Sequence, residues 1–129
     1  MQHMDIARIP RHRASGRERL KRLAAFLDGL ADDSLGFADW QECAVGRAAA
    51  EPWFLVQGLY LERDRRRDAC RPWFEGRSDW RAVADFFEID METARRLFDS
   101  IGHGETRPAP TQIAAAIRRH VAGTATAAR

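Results

Sequence analysis

SDWRAVADFFEIDMETARRLFDSI, residues 78–101, reads as two short amphipathic helices joined by a tight corner. Ser78 is placed to accept a hydrogen bond from an amide of the first turn, and Asp79 suits the positive end of the helix dipole. Trp80, Val83, Ala84 and Phe87 then recur at i, i+3, i+4 and i+7, one stripe of a 3.6-residue period. Glu88-Ile89-Asp90 makes the corner, and Asp90 is positioned to cap the second helix. In that helix Met91, Ala94, Leu97, Phe98 and Ile101 face inward, while Glu92, Arg95, Arg96 and Asp99 face water.

Working outward, glycines and prolines cut the rest into segments of helix length, without a clear run of strict apolar/polar alternation. Leu20, Leu23, Leu27 and Leu30 form the narrow seam of a helix over 15–31. A second helix is expected over 38–50, where Cys43, Gly46 and Ala50, with Ala44 and Ala48 beside them, make a surface of small side chains. Such a surface lets another helix backbone approach closely. The apolar run 53–61 is a short helix turn or an extended segment, and ERDRRRD at 62–68 a charged loop or helix end. After a loop marked by Gly102, Gly104, Pro108 and Pro110, a last helix opens at Thr111 with Ile113, Ala114, Ile117 and Val121 inward, and stops before Gly123. The expectation is therefore an all-α fold: a polar, mobile basic arm over 1–14, one domain of five or six short helices over 15–123, and a frayed tail over 124–129.

At 129 residues with 45% hydrophobic and 31% charged side chains, the chain suits one soluble globular domain. The net charge of +2 is unevenly spread: residues 1–27 carry seven basic and two acidic side chains, residues 28–61 one and six. Basic ends on an acidic body suit nucleic acid, an anionic surface or an acidic partner. Only Lys21 among the 21 basic residues is a lysine, and the chain is alanine-rich without asparagine, so part of the arginine excess reflects a GC-rich coding bias. No apolar run approaches the roughly 20 residues of a membrane span, and the N-terminus lacks the apolar core of a signal peptide, so a cytoplasmic protein without membrane partners is expected.

The order Trp40-x-x-Cys43-Ala44-x-Gly46-x-Ala48, followed by Pro52, Gly58-Leu59, Phe86-Phe87, Leu97-Phe98 and a Pro-Thr start to the final helix, resembles a group of small uncharacterised bacterial helical proteins. The likeness covers about residues 37–121 and implies a helical fold without assigning an activity. Arg47, where His or Trp is usual, and Glu88, where Gly is usual, depart from the pattern.

The chemistry that the chain permits is narrow. Cys43 and Cys70 lack CxxC spacing, and His3, His12, His103 and His120 have no metal-ligand spacing, so neither metal nor cofactor is expected. Cys43, with Arg47 one turn on, is a reactive thiol or, more ordinarily, a small core residue. Asp32-Asp33 and the Glu88/Asp90 pair sit at helix ends, where capping accounts for them, and no phosphate loop, GxSxG or HExxH motif is present, so no catalytic residue is assigned. Residues 80–98 resemble a helix-turn-helix, with Ala84, Ile89 and Leu97 at its usual apolar positions. Glu88 stands where a positive φ often demands glycine, and Glu92 and Asp99 would face phosphates, which counts against it. In that reading Arg95 and Arg96, with Arg8, Arg11 and Arg13 of the arm, would contact nucleic acid. The preferred expectation is a non-enzymatic module that binds a protein partner or a second copy of itself, with Trp53, Phe54 and Trp73 as candidate anchors.

Overall fold

The computed structural model describes residues 13–37, 39–66, 69–99 and 107–127. Most of the expected basic arm, Arg8 and Arg11 included, lies outside the described residues, as do Ile101 and the loop up to residue 106.

Helix α1 (Gly16–Asp28) begins at a capping box: the Ser15 side chain accepts from the Glu18 amide, and the Glu18 carboxylate accepts from the Ser15 amide. Its seam holds as the spacing predicts, with Leu20, Leu23 and Leu27 buried and Leu30 packed against the core. The most extensive helix contact is with α6 (Pro110–Ala127), whose Ile113, Ala114, Ile117 and Val121 point inward. Contrary to expectation, α6 runs through Gly123 to Ala127. A glycine in a helix costs only about 1 kcal/mol relative to alanine, too little to end one whose preceding turns are anchored against α1.

Residues 60–78 overturn the all-α expectation. Strands β1 (Tyr60–Asp64), β2 (Ala69–Phe74) and β3 (Arg77–Ser78) form an antiparallel sheet in the order β1-β2-β3, so the fold mixes helices with a sheet. Leu61 opposite Pro72, together with Phe74, covers the core, while Tyr60 lies opposite Trp73 and Glu62 opposite Arg71 on the other face. Two bulky aromatics on that outer face erase the alternation that marks a half-buried strand. Pro72 also argues against a strand in sequence. It is tolerated because β3 pairs only with Trp73 and Phe74, leaving β2 an edge on that side. Glu75 and Gly76, both at positive φ, make the tight turn between β2 and β3.

The expected helix over 38–50 is also broken. A 3-10 turn (Trp40–Glu42) is followed by α2 (Ala44–Ala48), with Cys43 in extended conformation between them. A Cβ on Gly46 would lie 1.6 Å from the Trp40 carbonyl oxygen, so Gly46 admits the chain's own preceding turn, while Ala44 and Ala48 are buried and α2 also packs against α1. Helix α3 (Pro52–Val56) carries Phe54 into the core.

Helices α4 (Asp79–Phe87) and α5 (Met91–Phe98) match the expected pair in position, but Met91, expected inward, is exposed in the first turn of α5, and Phe86, off the expected stripe of α4, is fully buried. Asp90 caps α5 by accepting from the Thr93 amide at 2.7 Å. Ser78 does not cap α4: it ends β3, and Asp79, at φ 58°, turns the strand directly into the helix. Phe87 and Phe98 are buried and face each other across the corner, ring centroids 5.4 Å apart. Glu88 takes the left-handed conformation (φ 56°, ψ 44°) without being glycine.

The corner is locked by α1. The Glu88 carboxylate accepts from the Gly16 amide at 3.0 Å, one of the donors a helix N-terminus leaves unpaired. Arg19, fully buried, donates from Nη1 to the Phe86 carbonyl at 2.7 Å and from Nε and Nη2 to Gln57 Oε1. Its guanidinium also lies over the Phe86 ring at 4.4 Å and the Phe74 ring at 5.4 Å. Burial, and then the nearby Arg13 charge, pull its pKa below the ordinary arginine value. Gln57 Oε1 additionally accepts from the Ala14 amide. None of this network is visible in the spacing of α1, where Arg19 is simply a neighbour of the leucine seam.

Gly16→Ala is expected to lower thermal stability although alanine is the better helix former, because its Cβ would sit 2.2 Å from the Phe87 carbonyl oxygen. Phe87→Ala should cost about 3–5 kcal/mol in urea unfolding. An unchanged midpoint in either variant would show that α1 does not close on the corner as described.

Candidate functional site

Trp40 and Trp80 meet at the surface as an edge-to-face pair, ring centroids 5.0 Å apart and planes at 62°. Local chemistry fixes each ring. Asp39 opens the 3-10 turn by accepting from the Gln41 amide at 3.0 Å. The Cys43 thiol closes it, donating to the Trp40 carbonyl at 3.1 Å while its sulfur accepts from the Gly46 amide at 3.4 Å. Trp80 lies in the first turn of α4, held where Asp79 pairs with Arg71 at 3.3 Å. Arg71 also reaches Asp64 at 3.8 Å, tying the start of α4 to both long strands.

Beside this pair lies a pocket of about 230 Å³, walled among the described residues by Phe37, Trp40, Trp80 and Phe98, with Asp39, Asp99 and Cys43 also lining it. Two carboxylates and four aromatic rings converge there, and no Lys or Arg lines it among the described residues. Arg95, one of the expected nucleic-acid contacts, rests its guanidinium 5.8 Å from the Trp80 ring centroid without lining the pocket.

The other expected site residues are scattered. Arg96 is exposed on α5 and shares a depression of about 300 Å³ with Arg119 and His120 of α6. Burial, and then Arg96, lower the His120 pKa, against the opposing pull of Asp90. Arg13 pairs with Glu75 at 2.9 Å and lies over the Phe74 ring. Of the candidate partner anchors, Phe54 is 1% exposed and belongs to the core. Trp53 and Trp73 are half-buried, covered by the guanidinium groups of Arg22 and Arg71 respectively. None of the three touches the pocket. Sequence reading assigns Trp80 and Phe98 to the core stripe and passes over Phe37 and Asp39. The only available signal was the excess of bulky aromatics for such short helices.

Cys43 is not set up as a nucleophile. Burial pushes its thiol above the ordinary cysteine range, against the Gly46 amide, which pulls the other way. Arg47, expected to favour the thiolate, instead donates from Nη2 to the Ser34 carbonyl. Among the described residues no group of three His, Cys, Asp or Glu side chains is arranged to hold a metal ion, and no helix is long and apolar enough to cross a membrane.

A raised thiol pKa means less thiolate at any given pH. In a Cys70→Ser background, labelling of Cys43 by Ellman's reagent should therefore be slow at pH 7–8 and accelerate only above the ordinary thiol range. Adding Gly46→Ala should speed it by forcing the 3-10 turn off α2. Fast labelling of the native protein at pH 7 would restore the reactive thiol.

No family model, curated protein or solved structure matches this chain, so the reading of its surface rests on its own geometry.

Proposed function

We propose that this chain is a protein-binding module whose contact is centred on the Trp40–Trp80 pocket. The observation that carries the reading is the convergence of four aromatic side chains from three separate stretches at one surface dent. Tryptophans at the centre of a concave patch are the side chains that dominate binding energy at protein interfaces. At about 230 Å³ the pocket falls below the roughly 300–1,000 Å³ of cofactor and small-molecule sites, and fits one inserted side chain better. The free Cys43 and Cys70 support a reducing, cytoplasmic setting.

A photo-crosslinking residue tests this in the native cell. Placed at Gln41, exposed on the 3-10 turn, benzoylphenylalanine should yield a discrete protein adduct, with a second copy of the chain one possible product. Placed at Leu55, the most exposed large apolar side chain among the described residues, it should not. Adducts at Leu55 alone, or none at Gln41, would overturn the reading.

A second reading has its own observation. The α4–α5 corner adopts the positive φ of a helix-turn-helix at Glu88, which removes one sequence-based objection to nucleic-acid binding. Against it stand Asp90 and Glu92 at the start of α5, where a recognition helix meets base edges. Duplex binding is therefore expected to be weak and lost near about 0.15 M salt. Tight, sequence-specific binding at that salt, abolished by joint Arg95→Glu and Arg96→Glu reversal, would favour this second reading over the first.

A further inference from the structure

Four aromatic rings and two carboxylates around one small pocket define what fills it best. Tryptophan faces attract cations through the ring quadrupole, by up to about 2 kcal/mol where water is displaced. Carboxylates at the same place add charge complementarity. Anions are disfavoured by Asp39 and Asp99, and a purely apolar side chain would take both carboxylates further from water while offering them no donor. Between the two common cations, a lysine ammonium is compact and strongly hydrated. A guanidinium is planar, more weakly hydrated, stacks on indole and forks onto a carboxylate. Within this chain guanidinium groups already lie over three indoles, Arg95 over Trp80, Arg22 over Trp53 and Arg71 over Trp73.

We infer that the pocket walled by Trp40, Trp80 and Phe98 and charged by Asp39 and Asp99 receives an arginine side chain of the partner protein. The inference rests on the protein-binding reading and adds what that partner must present: an exposed arginine on a surface able to approach the 3-10 turn. The guanidinium stacks on an indole face while its N–H groups meet the carboxylates. The neutral Cys43 thiol and the Phe37 ring complete the lining among the described residues.

N-acetylarginine methylamide, its lysine counterpart and the neutral isostere N-acetylcitrulline methylamide separate the possibilities. Each is titrated into the full chain while the four indole N–H resonances are followed by NMR. The arginine compound should shift Trp40 and Trp80 but leave Trp53 and Trp73 in place, saturating with a Kd on the order of 1 mM. Citrulline and lysine compounds should bind at least about tenfold more weakly, a difference of about 1.4 kcal/mol. Asp39→Asn preserves an acceptor for the Gln41 amide, so the turn should stay folded while arginine affinity falls severalfold; Asp99→Asn should do the same. Citrulline or lysine binding as tightly as arginine, equal shifts in all four indoles, or no shift at all would each overturn the assignment. The two readings fail separately. A protein adduct at Gln41 without arginine binding keeps the module and removes its occupant, whereas arginine binding without an adduct keeps the pocket's chemistry and removes the partner.

Discussion

Helix α1 meets the end of α4 head to tail, and each supplies what the other's terminus lacks. The amides of a first turn and the carbonyls of a last turn have no partners within their own helices. Here the Gly16 amide finds the Glu88 carboxylate and the Phe86 carbonyl finds the Arg19 guanidinium. The charges also suit the dipoles, a carboxylate at the positive end of α1 and a guanidinium at the negative end of α4. Neither bond could form if the backbones stood farther apart, and they stand this close only because residue 16 has no side chain. Burying Arg19 would be costly were its donors unpaired; the Phe86 carbonyl, Gln57 and two aromatic faces compensate it.

The consequences reach the surface. Arg19 and Gln57 connect α1 to the end of α3, and Phe86 is the hub of an aromatic cluster that includes Phe54, Phe74 and Phe87 and continues to Phe98. With the end of α4 fixed in this way, its start is fixed too, and Trp80 is carried to the surface beside the end of α5. The sheet contributes from the other side. Arg71 on β2 bridges Asp64 on β1 and Asp79 at the start of α4, so the hairpin serves as the mount for that helix. Trp40 arrives independently, on a turn that Asp39 opens and Cys43 closes. The pocket is the place where these two rigid pieces meet, with its walls held from behind by core packing and its carboxylates at turn and helix ends.

Glu88 shows how one residue changes the weight of a functional reading. A glutamate in the left-handed region carries some conformational strain, of order 1 kcal/mol or more. Its carboxylate offsets that strain by capping α1. The same position that argues against a helix-turn-helix in the sequence is therefore a structural tie in the fold, and the positive φ it adopts no longer counts against nucleic acid. The acidic side chains at the start of α5 and the stacking of Arg95 on Trp80 bear on that question more directly.

Periodicity and capping chemistry, though not the exposure of Met91 or the burial of Phe86, determined the leucine seam of α1, the inward Val83, Ala84 and Phe87 of α4 and Ala94, Leu97 and Phe98 of α5, the inward face of the last helix, the cap at Asp90 and the meeting of Phe87 with Phe98. Each is a local pattern, readable because 3.6-residue spacing and capping chemistry act within a few residues. The sheet was hidden, since the outer aromatics Tyr60 and Trp73 mask its alternation and Pro72 is tolerated only where β3 has ended. The single helix expected over 38–50 failed because the Cys43 side chain can satisfy the Gly46 amide and so permits a break. Only the tertiary structure decided that Arg19 is buried, that Glu88 caps a distant helix, and that Phe37, Trp40, Trp80 and Phe98 share a pocket. Those residues come from separate segments, and no spacing rule relates side chains that are brought together only when the sheet and the α1–α4 junction have set the helices in place.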